Sequence, residues 1–258
     1  MPSYIFGRNA ITEALLSGKK IEKIFCQYGI DASALASLKK HAKQAHVPLA
    51  LMEKRKFQAL ERSICRRYGY AQGVIALVQE LPILTVHELI EYSFTIADNP
   101  LLVALDNITD PQNLGAIARS AECAGFAGIL LPETKSAPLS GAAIKASAGA
   151  LHHIRVARTS SLRTALEDCK NAGFQVIGLD AHATHEYSKQ LQTDKLAYEP
   201  IVLVIGSEGV GIHPSIRRIC THTLAIPLCG NVPSLNASVA AGIVMFEIVR
   251  QRQSSSHL

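Results

Sequence analysis

Short apolar runs alternate with stretches whose apolar positions recur every three or four residues along most of the chain. Over the first 80 residues the pattern predicts a helix at Gly7–Ser17, with Ile11, Ala14 and Leu15 on one face. It then predicts strands at Ile21–Gln27 and Val47–Met52, a helix at Ala32–Ala45, a basic helix at Glu53–Cys65 and a β-branched strand at Gly73–Val78. These elements describe a small α/β domain over residues 1–80. Residues 81–99 hold Pro82, a short amphipathic stretch at Val86–Tyr92 and the turn signal Asn99-Pro100, and read as a linker.

From Leu101 the strands become more strongly apolar. Leu101–Leu105, Gly128–Leu131, Ile154–Val156, Gln175–Leu179, Ile201–Ile205 and Thr223–Ile226 are separated by helical stretches at Asn113–Ala124, Gly141–Ala150, Ser161–Ala172 and Pro214–Cys220. Apolar strands alternating with helices imply a parallel sheet covered on both faces, here over residues 100–258. The last helix is expected at about Ser234–Arg252. Val239, Ile243, Phe246 and Val249 share one face, but Val244, Met245 and Ile248 make it apolar nearly all round. One sheet cannot cover such a helix, so a two-fold homodimer through it is expected.

Composition narrows the class. With 48% hydrophobic and 18% charged residues the chain is globular rather than disordered. No apolar run reaches the ~18 residues of a membrane span, and the start, MPSYIFGRNA, does not read as a secretory leader. The six cysteines are scattered without a C-x-x-C pair, which argues against a zinc site or disulfide framework and for a reduced, cytoplasmic setting. The formal charge of +5 is uneven: residues 1–80 hold 13 Lys and Arg against 6 Asp and Glu, and the remainder 13 against 15. The basic residues cluster at Lys19, Lys20, Lys23, Lys39, Lys40, Lys43, Lys54, Arg55, Lys56, Arg62, Arg66 and Arg67. A polyanion docking on this domain is one reading; a solvated helix face is the other.

Open parallel sheets bind ligands at the carboxyl ends of their strands. Three unusual segments are expected there: Asp106–Arg119, Ile205–Gly211 and Ile226–Ser238. They bring glycines, a Glu, an Arg, Asn and Ser to one edge. No P-loop, no G-x-G-x-x-G after a first strand and no G-x-S-x-G elbow is present. His152-His153 and His182-x-x-His185 lack a third ligand at metal spacing, so no metal is expected.

Taken together, N-x-G-x-x-x-R (Asn113, Gly115, Arg119), G-S-E-G-x-G (Gly206–Gly211) and I-P-x-x-G-x-x-x-S-L-N-x-S-x-A (Ile226–Ala240) resemble the RNA ribose 2′-O-methyltransferases of the SPOUT superfamily, the TrmH/SpoU group. The resemblance covers roughly Leu101–Arg252. Tyr4–Ala10 (Y-x-x-G-R-N-A) and Gln72–Ala76 (Q-G-V-I-A) are similar to the L30e-like RNA-binding domain of RlmB-type 23S rRNA guanosine-2′-O-methyltransferases. The resemblance implies a deep trefoil knot near the C-terminus, where the strands ending at Gly206 and Ile226 thread past each other. It implies S-adenosylmethionine (AdoMet) held by backbone groups at Gly206, Ile226 and Leu235, and a homodimer. It also implies an RNA substrate, most closely a guanosine of 23S rRNA near the peptidyl-transferase region, in naked rRNA or a pre-ribosomal particle.

Arg119 occupies the family's catalytic position. It acts there either as a base helped by an RNA phosphate or as a clamp on that phosphate that stabilises developing alkoxide. Asn113 and Asn236 would orient Arg119 and the ribose, Glu208 would fix the loop or the Arg, and Ser234 would cap the last helix while facing the site. Rival expectations are tRNA 2′-O-methylation, an antibiotic-resistance rRNA methyltransferase and a non-catalytic rRNA-binding assembly factor.

Overall fold

The computed structural model describes residues 3–17, 21–64, 71–78 and 81–254. Lys19, Lys20, Cys65, Arg66 and Arg67 lie outside them. The chain divides into two compact units, Met1–Glu80 with Ser140–Ala142, and Leu81–Leu139 with Ala143–Leu258.

The first unit is a four-stranded sheet ordered β1 (Ser3–Phe6), β4 (Val74–Val78), β2 (Ile21–Gln27), β3 (Leu49–Met52). Strand β4 pairs antiparallel with β1 and β2, while β2 and β3 are parallel. Alternation along the strands explains the layering. Ile24, Cys26, Val74 and Ala76 face α1 (Arg8–Leu16) and α2 (Ala32–Gln44), whose Ile11, Leu15, Leu38 and Ala42 complete one core. Phe25 and Ile75 face the other way, onto Phe57 and Leu60 of α3 (Lys54–Ile64). The periodicity did not reveal β1, which is four residues long and lies at the sheet edge. Gly7, at φ +88°, turns the chain from β1 into α1, and its N–H donates to the Val74 carbonyl at 3.3 Å. Gln72 Oε1 accepts from the Arg8 N–H at 3.4 Å. The two motifs of this unit therefore meet at one corner.

The second unit is an eight-stranded sheet, parallel throughout. Its order is β10 (His185–Glu186), β12 (His222–Ala225), β9 (Gln175–Leu179), β11 (Ile201–Gly206), β6 (Leu101–Asp106), β7 (Gly128–Pro132), β8 (Arg155–Thr159), β5 (Ile83–Leu84). Leu102, Ala104, Leu130, Val176, Val202 and Val204 point to one face. There they meet α4 (Val86–Ile96), α7 (Leu162–Asn171) and α9 (Pro214–Arg217). Val103, Leu105, Ile129, Ile177, Leu203 and Ile205 point to the other, against α5 (Pro111–Cys123) and α10 (Ala237–Ser254). Helix α8 (Tyr187–Thr193) and, from Ala143 on, α6 (Gly141–Ala146) also belong to the second unit.

Residues 81–99 are not a connecting coil. Ile83–Leu84 adds a parallel strand beside β8, and α4 buries Leu89 against the sheet. A capping box starts α4: Thr85 Oγ1 accepts from the Glu88 N–H, and Glu88 accepts in return from the Thr85 N–H at 2.7 Å. Those bonds hold the Glu88 carboxyl below its ordinary range. The T-x-x-E spacing carried the signal, but the proline before it drew the reading toward a linker.

Gly115 lets α5 lie against α6. A Cβ there would stand 2.5 Å from the Ala146 Cβ and 2.6 Å from the Ala143 carbonyl oxygen. Because backbone blocks it, Gly115→Ala is expected to lower stability by about 1–3 kcal/mol, measured as the shift of the thermal unfolding midpoint.

Helix α10 is pinned by Glu247, which accepts from Arg250 Nε and Nη2 at 2.8 Å each, Gln251 Nε2 at 2.7 Å and Ser188 Oγ of α8 at 3.1 Å. These bonds, the Arg250 pair foremost, hold its carboxyl down at about 2. A depressed carboxylate stabilises the fold above its unfolded pKa and loses that contribution as pH falls through the folded one. The stability gap between wild type and Glu247→Gln in urea titrations is therefore expected to be full at pH 7 and to close between about pH 4.5 and 2.

Candidate active site

The carboxyl edge of the second sheet gathers loops from β6, β9, β11 and β12. The loop after β11 is shaped by three glycines with different tasks. A Cβ on Gly206 would fall 2.2 Å from the Gly211 carbonyl carbon, so only glycine lets the loop fold back this tightly. Gly209 and Gly211 adopt φ +79° and +72°, conformations that other residues resist. The return is closed by the Gly211 N–H donating to the Ser207 carbonyl at 2.8 Å. Beyond it, the buried Asp106 at the end of β6 accepts from the His213 N–H at 2.6 Å, tying the loop's exit to the central strand.

Three remote residues meet beside this loop. Asn113 Nδ2 donates to Glu208 Oε1 at 2.9 Å, and Asn236 Nδ2 lies 2.6 Å from the same oxygen and 2.9 Å from Asn113 Oδ1. Asn236 Oδ1 faces the other way and caps α10, accepting from the N–H groups of Ser238 and Val239 at 3.0 and 3.3 Å and from Ser238 Oγ at 2.6 Å. Glu208 Oε2 has no hydrogen bond among the described residues. Arg119, nearly two turns along α5 from Asn113, is exposed, and its side chain has neither hydrogen bond nor ion pair among them.

Ser234 does not cap the last helix. Helix α10 starts at Ala237 because Asn236 reaches its first free N–H groups, and Ser234 lines the adjacent pocket instead. That pocket, about 200 Å³, is walled by Ile205–Gly211, by Ile226 and Leu228, and by Pro233–Leu235. Gly206, Ile226, Leu235, Glu208 and Ser234 thus share one cavity, with the Asn113–Glu208–Asn236 cluster at Glu208; Asn113, Arg119 and Asn236 are not in its wall.

A fourth wall, Leu179–His182, went unnoticed in the sequence. Its signal was the Asp directly after an apolar strand, at the edge where ligands bind. Asp180 Oδ1 accepts from the His182 N–H at 2.9 Å, while Oδ2 pairs with Arg217 Nη1 at 2.9 Å. Both carboxylate oxygens are thereby used to set the turn. Among the described residues no group of three or more His, Cys, Asp or Glu side chains could hold a metal ion. No helix among them is long and apolar enough to cross a membrane.

Residues 100–246 match the SpoU rRNA Methylase family, and residues 4–84 match the RNA 2′-O ribose methyltransferase substrate-binding family. YacO of Bacillus subtilis (strain 168), named for the TrmH family of tRNA/rRNA methyltransferases, is 32% identical over 249 residues, 96% of each chain. An AdoMet-bound rRNA methyltransferase from Sinorhizobium meliloti superposes with TM-score 0.62 at 25% identity, covering 97% of this chain and 87% of that one. The A. aeolicus TrmH/SpoU tRNA modifying enzyme superposes with TM-score 0.54 at 27% identity, covering 66% of this chain and 82% of that one. The chain belongs to the SpoU/TrmH family of RNA methyltransferases.

Asn236→Ala removes both a helix cap and the bridge to Glu208. A stability loss of about 0.5–2 kcal/mol is expected in denaturant titrations. Asn236→Asp keeps the cap acceptor but sets a carboxylate against Glu208. It is expected to retain most of that stability while losing methyl transfer, which separates the two tasks of one side chain.

Proposed function

We propose that the protein transfers a methyl group from AdoMet to a ribose 2′-OH of RNA. One observation carries the reading: the start of α5, the loop after β11 and the cap of α10 converge to form the Asn113–Glu208–Asn236 cluster on the rim of a pocket, with Arg119, whose side chain has no partner among the described residues, on the same helix as Asn113.

The pocket suits AdoMet chemically. Leu179, Ile226, Leu228 and Leu235 offer apolar walls to an adenine, and the Gly206–Gly211 loop exposes peptide groups to its polar edges. Glu208 lines the cavity as a carboxylate with no cationic partner among the described residues, and no Lys or Arg lines it, which favours a cationic sulfonium. Gly206, Ile226 and Leu235 would hold the molecule through their main chain. When bound, AdoMet supplies a methyl group already electrophilic enough for a weak nucleophile.

What remains for the protein is to align the ribose oxygen and take its proton. A guanidinium stays charged in proteins. Arg119 therefore clamps an RNA phosphate and stabilises the developing alkoxide, with Asn113 steering it from the start of the helix. Glu208 Oε1 is saturated by the two amides, which leaves Oε2 to accept the 2′-OH proton. Ser234, in the pocket wall, orients the ribose.

An rRNA target, as a guanosine of 23S rRNA in naked form or in a pre-ribosomal particle, is favoured over tRNA. The S. meliloti rRNA methyltransferase matches nearly the whole chain, whereas the A. aeolicus tRNA enzyme matches only two thirds of it. The basic N-terminal unit, with Lys54, Arg55 and Lys56 exposed on α3, suits the phosphate backbone. On α10, Val239, Ile243 and Phe246 remain 49%, 36% and 49% exposed at helical spacing, which supports a homodimer closing over this face. Cytoplasmic residence follows from an rRNA substrate.

Arg119→Ala is expected to abolish methyl transfer yet leave AdoMet affinity within about tenfold, roughly 1.4 kcal/mol, by calorimetric titration. Glu208→Gln keeps an oxygen for both amides and is expected to cut turnover on the order of a hundredfold or more, with AdoMet still bound. An RNA carrying 2′-deoxyribose at the target should bind and accept no methyl group. Labelled methyl on that RNA would overturn the 2′-O reading, and sedimentation as a monomer at micromolar concentration would overturn the dimer.

A further inference from the structure

A second concavity of the methyltransferase unit lies between α7 and α9, on the sheet face opposite α5 and α10. Arg163, Glu167, Lys170 and Asn171 line it from α7, and Ser215 and Arg218 line it from α9 and the residue that follows. Its volume is about 410 Å³. Arg163 is neutralised by Glu167 at 3.1 Å. Lys170 Nζ donates to the Ile219 carbonyl at 3.3 Å, so its ammonium is anchored across the groove with no carboxylate partner. Arg218 is exposed and its side chain has no hydrogen bond or ion pair among the described residues. Two uncompensated cations thus share one groove, although residues 81–258 carry 13 Lys and Arg against 15 Asp and Glu.

We propose that this groove is a phosphodiester-binding track for the RNA substrate, a contact surface of the methyltransferase unit separate from its basic N-terminal unit. The inference rests on the RNA reading above. The lining is polar, and its apolar member, Ile219, is buried. A protein partner would need an apolar or aromatic centre to anchor on, and the groove offers none. Ser215, Asn171, Lys170 and Arg218 instead supply the hydroxyl, amide and cationic donors that phosphate oxygens accept.

The placement suits a strand leading to the active site. Helix α9 begins just beyond the Ser207–Gly211 loop that walls the cofactor pocket, and α7 begins at the carboxyl edge of β8. Within α9 and its cap the neighbours Arg217 and Arg218 part company. Arg217 turns to Asp180 in the pocket wall, and Arg218 turns to the groove. An RNA backbone seated on Arg218 therefore runs beside the element that braces the pocket.

The test is filter binding of deproteinised ribosomal RNA across a salt series, with wild type, Arg218→Gln and Lys170→Ala/Arg218→Gln. Each lost phosphate contact is expected to flatten the slope of log K against log salt by about 0.7. The double variant should bind RNA several-fold more weakly at low salt and converge on wild type at high salt. Its KM for RNA should rise while turnover at saturating RNA and AdoMet affinity stay at wild-type values. A double variant with the wild-type slope overturns the groove while leaving the methyltransferase reading intact. A wild type that binds RNA with a normal salt slope but methylates none of it overturns that reading and leaves the groove standing.

Discussion

The loop after β11 comes back over the end of its own strand so closely that no side chain fits at Gly206. This single steric requirement organises the carboxyl edge of the second sheet. The tight return, closed between Ser207 and Gly211 and tied at its exit to the buried carboxylate of Asp106, presents Glu208 at its tip. Asn113 from the start of α5 and Asn236 from the start of α10 then find one carboxylate oxygen between them. A chain that could not fold back here would still make a sheet, but three loops would have no common point.

Much of this was legible in the amino-acid order, for physical reasons. Strands β9 and β11 are buried on both faces, so they read as continuous apolar runs with sharp ends. The glycine spacing of Gly206–Gly211 is legible because each glycine answers a backbone need. The two-residue β5 and β10 were not, since a strand that short has no period to read. The start of α10 was misplaced because Ser234 and Asn236 are both good capping residues, and only the fold decides which one reaches the free N–H groups. The Asp180–Arg217 pair spans β10, α8 and β11, a separation that no local pattern reports.

Arginines show how the second unit divides its charge. Arg217 is spent on Asp180, Arg163 on Glu167 and Arg250 on Glu247, while Arg252 donates to the carbonyls of Ala197, Asn99 and Glu199. Arg155 lies over the Tyr92 ring at 5.1 Å. Against that background an exposed guanidinium without a partner is informative, because a cation left in water is ready to meet an anion that arrives from outside.

The pairing of β11 with β6 places Ile201 opposite Leu101, a hundred positions earlier in the chain. Closing so long a loop costs entropy that grows with its length, and parallel strands at such separation form slowly. During synthesis β6 leaves the ribosome about a hundred residues ahead of β11, and its unpaired edges wait for β7 on one side and much longer for β11 on the other. The loops that gather at the candidate site sit beyond that last pairing. That edge is therefore among the last parts of the molecule to exist, and a nascent chain has an aggregation-prone strand before it has a completed sheet.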